Sequence, residues 1–95
     1  FGKLDIVKYL VKECKVYAFQ TDEDGNTPIH TAAVSDQTDI VRYLSRYYDE
    51  ERNERGVMHA FSKNKNQKTA MDIAEKCESA EVYNYLDEVA ESWYS

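Results

Sequence analysis

His30, His59, Cys14 and Cys77 are the side chains of this chain that could hold a soft metal ion or form a nucleophile and its base. Their spacing argues against both. Zinc sites draw ligands from short pairs such as Cys-x-x-Cys or His-x-x-x-His, and no such pair occurs. A Cys–His nucleophile needs its base delivered by some local device, and neither cysteine has a histidine close in sequence. Three scattered glycines cannot make a phosphate-cradling loop. The remaining chemistry gathers in "DGNTPIHTAA", residues 24–33, where Thr27 and His30 lie near Asp22 and Asp24 beside the single proline. That stretch is either a site or a device for building structure. No catalytic residue, no metal and no cofactor is expected.

Ninety-five residues allow one small domain. The net charge of −6 repels phosphate backbones, which disfavours nucleic acid as a partner. The charge is also uneven. Residues 1–15 carry Lys3, Lys8, Lys12 and Lys15 against Asp5 and Glu13, whereas after Cys77 there are Glu78, Glu81, Asp87, Glu88 and Glu91 with no Lys or Arg. This reads either as solubility or as an acidic end that prefers basic partners. No apolar run is long enough to span a bilayer, so membrane insertion is not expected. Two cysteines are too few for a disulfide framework; inside helical patterns they read as buried or half-buried thiols in a reducing compartment. That places the protein inside the cell, in the cytoplasm first, with the nucleus also open. The first residues are amphipathic and lack a signal peptide's apolar block, and the chain does not begin with Met. It is expected to be a piece of something longer.

The elements that must position these residues repeat along the chain. "LDIVKYLV" at 4–11 and "TDIVRYLS" at 38–45 share Asp-Ile-Val-basic-Tyr-Leu at an offset of 34, and "AEVYNYLD" at 80–87 is a weaker third copy. Ile40, Val41 and Leu44 mark one face of an amphipathic helix. Upstream, "NTPIHTAA" at 26–33 aligns with "KTAMDIAE" at 68–75 at an offset of 42, placing Thr27 on Thr69, Ile29 on Met71 and Ala32 on Ala74. The unit is a short helix opened by Thr, a turn, and a second helix.

This pattern resembles the ankyrin repeat. The middle unit carries most of the resemblance, through Asp22, Gly25, Thr27, Pro28, Ile29, His30, Ala32, Ala33, Ile40, Val41 and Leu44. The resemblance implies an all-α solenoid of stacked helix-turn-helix units with short β-hairpin-like loops. It implies a single domain over 1–95: a half repeat at 1–15, a full repeat at 22–48, an insertion at 49–63, and a degenerate C-terminal repeat and cap at 64–95. Gly2 stands where the family places its inter-helix glycine.

Each motif residue has a physical task. Asp22 and Gly25 suit a tight turn, Gly because it accepts positive φ. Thr27 suits a helix N-cap and Pro28 the first helical position. Ile29 packs inward, and Ala32 and Ala33 let a neighbouring helix approach. Thr69 keeps the cap in the last unit, where Ala70 and Asp72 replace Pro and His. His30, by the resemblance, hydrogen-bonds within and between repeats, buried and neutral. Asp36 and Glu78 stand at the inter-helix glycine position and are expected to tolerate a strained turn; Gln67 replaces the turn glycine, and Ser45 the second Leu. The first unit lacks its opening helix, so residues before Phe1 are expected. Without them an exposed apolar N-terminal edge and self-association follow.

In the insertion the charged run after Tyr48 favours helix, so the second helix of the middle repeat is expected to continue to about Arg55 and stop at Gly56. "VMHAF" at 57–61 is then an apolar patch in a loop. Val57, Met58 and Phe61 either tuck back onto the domain or form a recognition loop. Tyr9, Tyr43 and Tyr85, in register, read as structural or groove-lining, and Trp93 and Tyr94 either as a cap on the last helix or as the start of a further segment.

The resemblance implies protein recognition through a concave face and loop tips. Those places fall on Glu23, Asp24, Asn26, Thr31, Val34 and Ser35 in the middle unit, and on Lys65, Asn66, Lys68, Ile73, Lys76 and Cys77 in the last. A regulatory or targeting array of a larger enzyme or effector protein is the alternative.

Overall fold

The computed structural model describes residues 3–94, with side chains described for 4–92. Among these, α1 (Lys3–Lys12) stands first, followed by the pair α2 (Pro28–Val34) and α3 (Thr38–Arg46). A small hairpin of β1 (Tyr48–Asp49) and β2 (Glu54–Arg55) comes next, then α4 (Gly56–Ala60) and a second pair, α5 (Ala70–Lys76) and α6 (Ala80–Tyr94). The architecture is a helical stack in which α2 packs on α5, and α3 lies between α1 and α6. Gly2, and the side chains of Trp93 and Tyr94, lie outside the described residues.

The core follows the repeat. Ile29, Ala33, Val41, Leu44, Ala70, Ala74, Val82 and Leu86 are all fully shielded from solvent. Truncating one of the large members, Leu44 for instance, removes buried methyls and leaves a cavity, a loss of about 2–5 kcal/mol. The alanines have a separate role: they let α2 and α5 approach side by side. Polar groups also join the layers. The Asp36 carboxylate accepts the Val82 N–H at 3.1 Å, which occupies an otherwise orphan donor in the first turn of α6. Lys8 lies over the Tyr43 ring and Arg42 over the Tyr85 ring, each at 5.5 Å, so a cation of one unit covers the tyrosine of the next.

Where glycine was replaced, the backbone still turns through positive φ: Asp36 at 53°, Gln67 at 64° and Glu78 at 58°. Asp36 and Glu78 close the two inter-helix turns in the same way. Each costs roughly 1 kcal/mol relative to glycine, which the packed helices on either side outweigh.

The insertion differs from the expectation. α3 ends at Arg46 rather than continuing to Arg55, because Tyr47 is extended (φ −72°, ψ 141°) and the chain enters the hairpin. Local side chains outcompete the helix there. Asp49 accepts the Arg52 N–H and pairs with the Arg52 guanidinium, both at 3.1 Å, while Asn53 turns the chain at φ 53°. Gly56 does not stop a helix; it opens α4. Its task is close approach. A Cβ there would lie 2.8 Å from the Leu44 carbonyl carbon and 2.9 Å from that of Ser45, inside the end of α3. Residues 57–60 of the "VMHAF" stretch are therefore helix rather than loop, with Ala60 fully buried and Phe61, the C-cap, packed against the core.

The insertion rests on the segment between α1 and α2. Phe19, 2% exposed, stacks on His59 with ring centroids 4.1 Å apart. Tyr17 donates its hydroxyl to Glu54 at 2.6 Å, and Arg52 lies 4.2 Å over its ring. Burial first, and then the hydrogen bond to the Glu54 carboxylate, push the Tyr17 hydroxyl up to about 12.

Candidate functional site

Two turns carry most of the residues singled out for binding. In the first, the Asp22 carboxylate accepts the N–H groups of Asp24 and Asn26, each at 2.9 Å, and Gly25 takes φ 78°. These donors hold the Asp22 carboxyl below its ordinary value, the Asn26 N–H most strongly. In the second, Asn64 does the same work: its side-chain oxygen accepts from the N–H groups of Asn66 and Lys68, each at 2.9 Å. The turns are tied edge to edge. Lys65 N–H donates to the Asp24 carbonyl at 2.9 Å, and the Asn64 amide donates to the Asn26 side-chain oxygen at 2.8 Å.

Glu23, Asp24, Lys65, Asn66 and Lys68 are consequently brought onto one rim, all exposed. The rim is acidic on the first turn and basic on the second. Asn26 is half-buried, because its side chain serves the tie to Asn64.

Each turn feeds a capped helix. Thr27 accepts the His30 N–H, and the His30 Nδ1 accepts the Thr27 N–H at 3.0 Å, a reciprocal box that satisfies two orphan donors. With Nδ1 accepting, Nε2 carries the ring proton and faces two carbonyl oxygens of the following segment, Ser62 at 3.0 Å and Lys68 at 3.1 Å. The ring is 1% exposed. Thr69 and Asp72 form the corresponding box at α5. The "TPIH" stretch is thus a structural device, and its histidine ties one unit to the next.

Beyond the rim, Thr31, Val34 and Ser35 are exposed on α2 and its cap, and Lys76 on α5. Ile73 is half-buried against the core. Both cysteines, expected to be at least half-buried, are exposed and free: Cys14 lies in the turn after α1, and Cys77 at the cap of α5. Both were expected inside helices, but α1 ends at Lys12 and α5 at Lys76, so each cysteine falls just past a helix end where no packed face covers it. In the insertion, Val57 is half-buried and Met58 is 59% exposed. Val57 lines recesses with Ser45 and Arg46, apart from the rim residues.

At the other end, a recess of about 690 Å³ opens between α1 and α2, lined by Ile6, Val7, Pro28, Thr31, Ala32 and Ile40 among others. Ile6 and Tyr9 on α1 are 59% and 61% exposed, so an apolar edge stands there. Sequence reasoning did not single out Asn64, although its place 42 residues after Asp22 was a usable signal. Tyr17 and Glu54 carried no such signal, since neither belongs to the repeat. Among the described residues, no group of three or more His, Cys, Asp and Glu side chains converges as metal ligands do, and no helix is long and apolar enough to cross a membrane.

A family model described as ankyrin repeats (3 copies) matches residues 1–91. The liver isoform of mitochondrial glutaminase from Rattus norvegicus is 38% identical over 48 residues, covering 50% of this chain and 8% of that protein. Alpha-latrocrustotoxin-Lt1a from Latrodectus tredecimguttatus is 42% identical over 43 residues, covering 45% of this chain and 3% of the toxin. A chain in the solved complex of the Bd0816 predatory endopeptidase from Bdellovibrio bacteriovorus with immunity protein Bd3460 superposes with a TM-score of 0.71 at 28% identity, covering 93% of this chain and 41% of that one. The chain therefore spans less than half of each of these relatives.

Proposed function

This chain belongs to the ankyrin-repeat family, whose repeats imply a protein–protein interaction module, and we propose that it binds a partner protein through the rim of its two turns and the adjoining faces of α2 and α5. One observation carries the choice of surface: the Lys65 N–H to Asp24 carbonyl bond, which sets Glu23 and Asp24 beside Lys65 and Lys68 as one continuous charged edge. The turns are ordered by their own side chains before any partner arrives, so little entropy is lost on binding. Thr31, Val34, Ser35, Ile73 and Lys76 supply the flanking face. In this reading the chain catalyses nothing itself and needs no cofactor. It works inside the cell, where exposed thiols such as Cys14 and Cys77 stay reduced.

Affinity capture from cell lysate tests the surface. The wild-type chain and a variant with Asp24→Lys, Lys65→Glu and Lys68→Glu serve as parallel baits. Partners lost by the variant support the rim; an unchanged set of captured proteins rejects it.

A second reading is favoured by the relatives' lengths. The glutaminase match covers 8% of that enzyme, which fits an ankyrin array serving a larger catalytic or effector protein in a regulatory or targeting role. The full reading frame decides this: a catalytic domain in it supports the second reading, and its absence the first. The apolar edge of Ile6, Tyr9 and Leu10 also fits self-association. Light scattering that shows a monomer across a wide concentration range excludes it.

A further inference from the structure

We propose that the insertion, together with the outer helices α3 and α6, forms a second docking site whose occupant is an acidic peptide segment with one apolar anchor. The site lies apart from the charged rim and shares only Val57 with the residues named for partner binding.

Two recesses adjoin on this surface. Ser45, Arg46 and Val57 line both. One, of about 460 Å³, adds Tyr48, Asn53 and Arg55 from the hairpin. The other, of about 420 Å³, adds Tyr85, Glu88 and Val89 from α5's partner helix α6. Arg46 and Arg55 therefore face one shared space, both exposed, and neither makes an ion pair among the described residues. The other nearby guanidinium groups are engaged: Arg42 covers Tyr85, and Arg52 binds Asp49 and covers Tyr17. In a chain of net charge −6, two arginines without an ion pair among the described residues, lining recesses in which Glu88 is the one acidic lining residue, make a local reversal of sign.

The polar groups of the floor are already satisfied. Ser45 Oγ and Tyr85 Oη share a 2.7 Å hydrogen bond, and the Tyr48 hydroxyl donates to Asn53. What remains for an occupant is the pair of guanidinium groups and the apolar walls. Arginine's planar fork matches a carboxylate bidentately. Val57 and Val89, both half-buried, and Tyr48, 47% exposed, offer contact to one aliphatic or aromatic side chain. Polyanionic nucleic acid would set Glu88 and a chain of net charge −6 against its phosphates, which favours a peptide of few charges.

The surface is also held in place beforehand. From behind, Tyr17, Phe19 and His59 clasp the insertion, and Gly56 N–H donates to the Tyr47 carbonyl at 2.7 Å. Gly56 lies so close to α3 that the start of α4, and Val57 with it, has little room to move.

Fluorescence anisotropy tests the site with short labelled peptides, each carrying two Glu around one Leu, Phe or Trp at varied spacing. Lys-for-Glu versions and a single-stranded oligonucleotide serve as competitors in class. Saturable micromolar binding by at least one acidic peptide is expected. Arg46→Glu with Arg55→Glu should weaken it about tenfold or more, as should added salt. Val57→Ser should weaken it with little change in salt dependence, and Lys65→Glu with Lys68→Glu should leave it unchanged. Arg46→Ala with Arg55→Ala repeats the test if the charge reversal unfolds the chain. The proposal is overturned if no acidic peptide saturates below the millimolar range. Binding that survives loss of both arginines, or equal binding of the basic peptides or the oligonucleotide, overturns it too. The rim variant separates this outcome from failure of the rim reading.

Discussion

The turn at 22–30 and the turn at 64–72 have the same backbone and different chemistry. In both, a side-chain oxygen gathers two amide N–H groups, a residue at positive φ reverses the chain, and a threonine caps a helix through a reciprocal box. The first uses Asp22, Gly25, Pro28 and His30; the second uses Asn64, Gln67, Ala70 and Asp72. The difference lies in reach. His30 closes its own box and also donates from Nε2 toward Ser62 and Lys68 in the following segment. Asp72 closes its box, at 3.1 Å to the Thr69 N–H, and remains exposed. The cap alone needs any short acceptor at the third position; the tie between units needs a side chain with a second polar atom on its far side.

The largest test of that difference is His30→Ala against Asp72→Ala. Loss of the histidine strands the buried Thr27 N–H and the Ser62 carbonyl and takes one of two donors from the Lys68 carbonyl, which keeps the Asn64 N–H, so urea denaturation should show a destabilisation of about 2–3 kcal/mol. Loss of Asp72 removes a solvated cap partner and should cost about 0.5–1 kcal/mol. Equal values for the two would refute the role of His30 as the tie.

Exchange at the positive-φ position comes next. Gly25→Ala should destabilise by about 1–2 kcal/mol, since its Cβ would meet the Lys65 amide nitrogen at 3.0 Å as well as an unfavourable φ. Gln67→Gly should stabilise by roughly 0.5–1 kcal/mol, by relief of the same strain. Thermal melts of both variants should therefore move in opposite directions.

Ala70→Pro is smaller still. Thr69 already has the extended conformation a following proline requires (φ −88°, ψ 169°), and Ala70 is the first helical residue. Proline there restricts the unfolded chain, a gain of about 0.5–1 kcal/mol, but its ring must fit where Ala70 is fully buried, so the net change in melting temperature should be small. A large fall in the melting temperature would show that the two turns differ more than their backbones suggest.

The smallest effect is on acid response. Asp22 has a folded-state pKa below its ordinary value, chiefly through the Asn26 N–H, so its contribution is present above the unfolded value. It is lost as pH falls through the folded one, below about 4. Asn64 does not titrate. In an NMR titration the Asp24 and Asn26 amide resonances should shift in that window while those of Asn66 and Lys68 hold steady, and Asp22→Asn should abolish the shift. Parallel movement of both pairs would mean that the turns loosen together rather than through Asp22.

How much of this was legible in the sequence depends on the range of the interactions involved. Thr27, Pro28, Ile29 and Thr69 act within one turn of their own positions, and their tasks could be read from type and spacing. Asn64 was equally local and was hidden only because Asn replaces Asp. The insertion misled for the opposite reason. Residues 49–55 have helix-favouring composition, yet Asp49 and Asn53 turn them into a hairpin that Tyr17 covers from a distant segment, while Phe19 stacks on His59 of the following α4.

By itself, then, the sequence determined the repeat, its family, the caps and turn residues, and the apolar face of the repeat helices, because these rest on contacts between near neighbours along the chain. Only the tertiary structure decided what Gly56 is for, that Cys14 and Cys77 face solvent, which carbonyls receive the His30 proton, and that Arg46 and Arg55 share one recess. Those are contacts between residues far apart in the chain, and no local propensity encodes them.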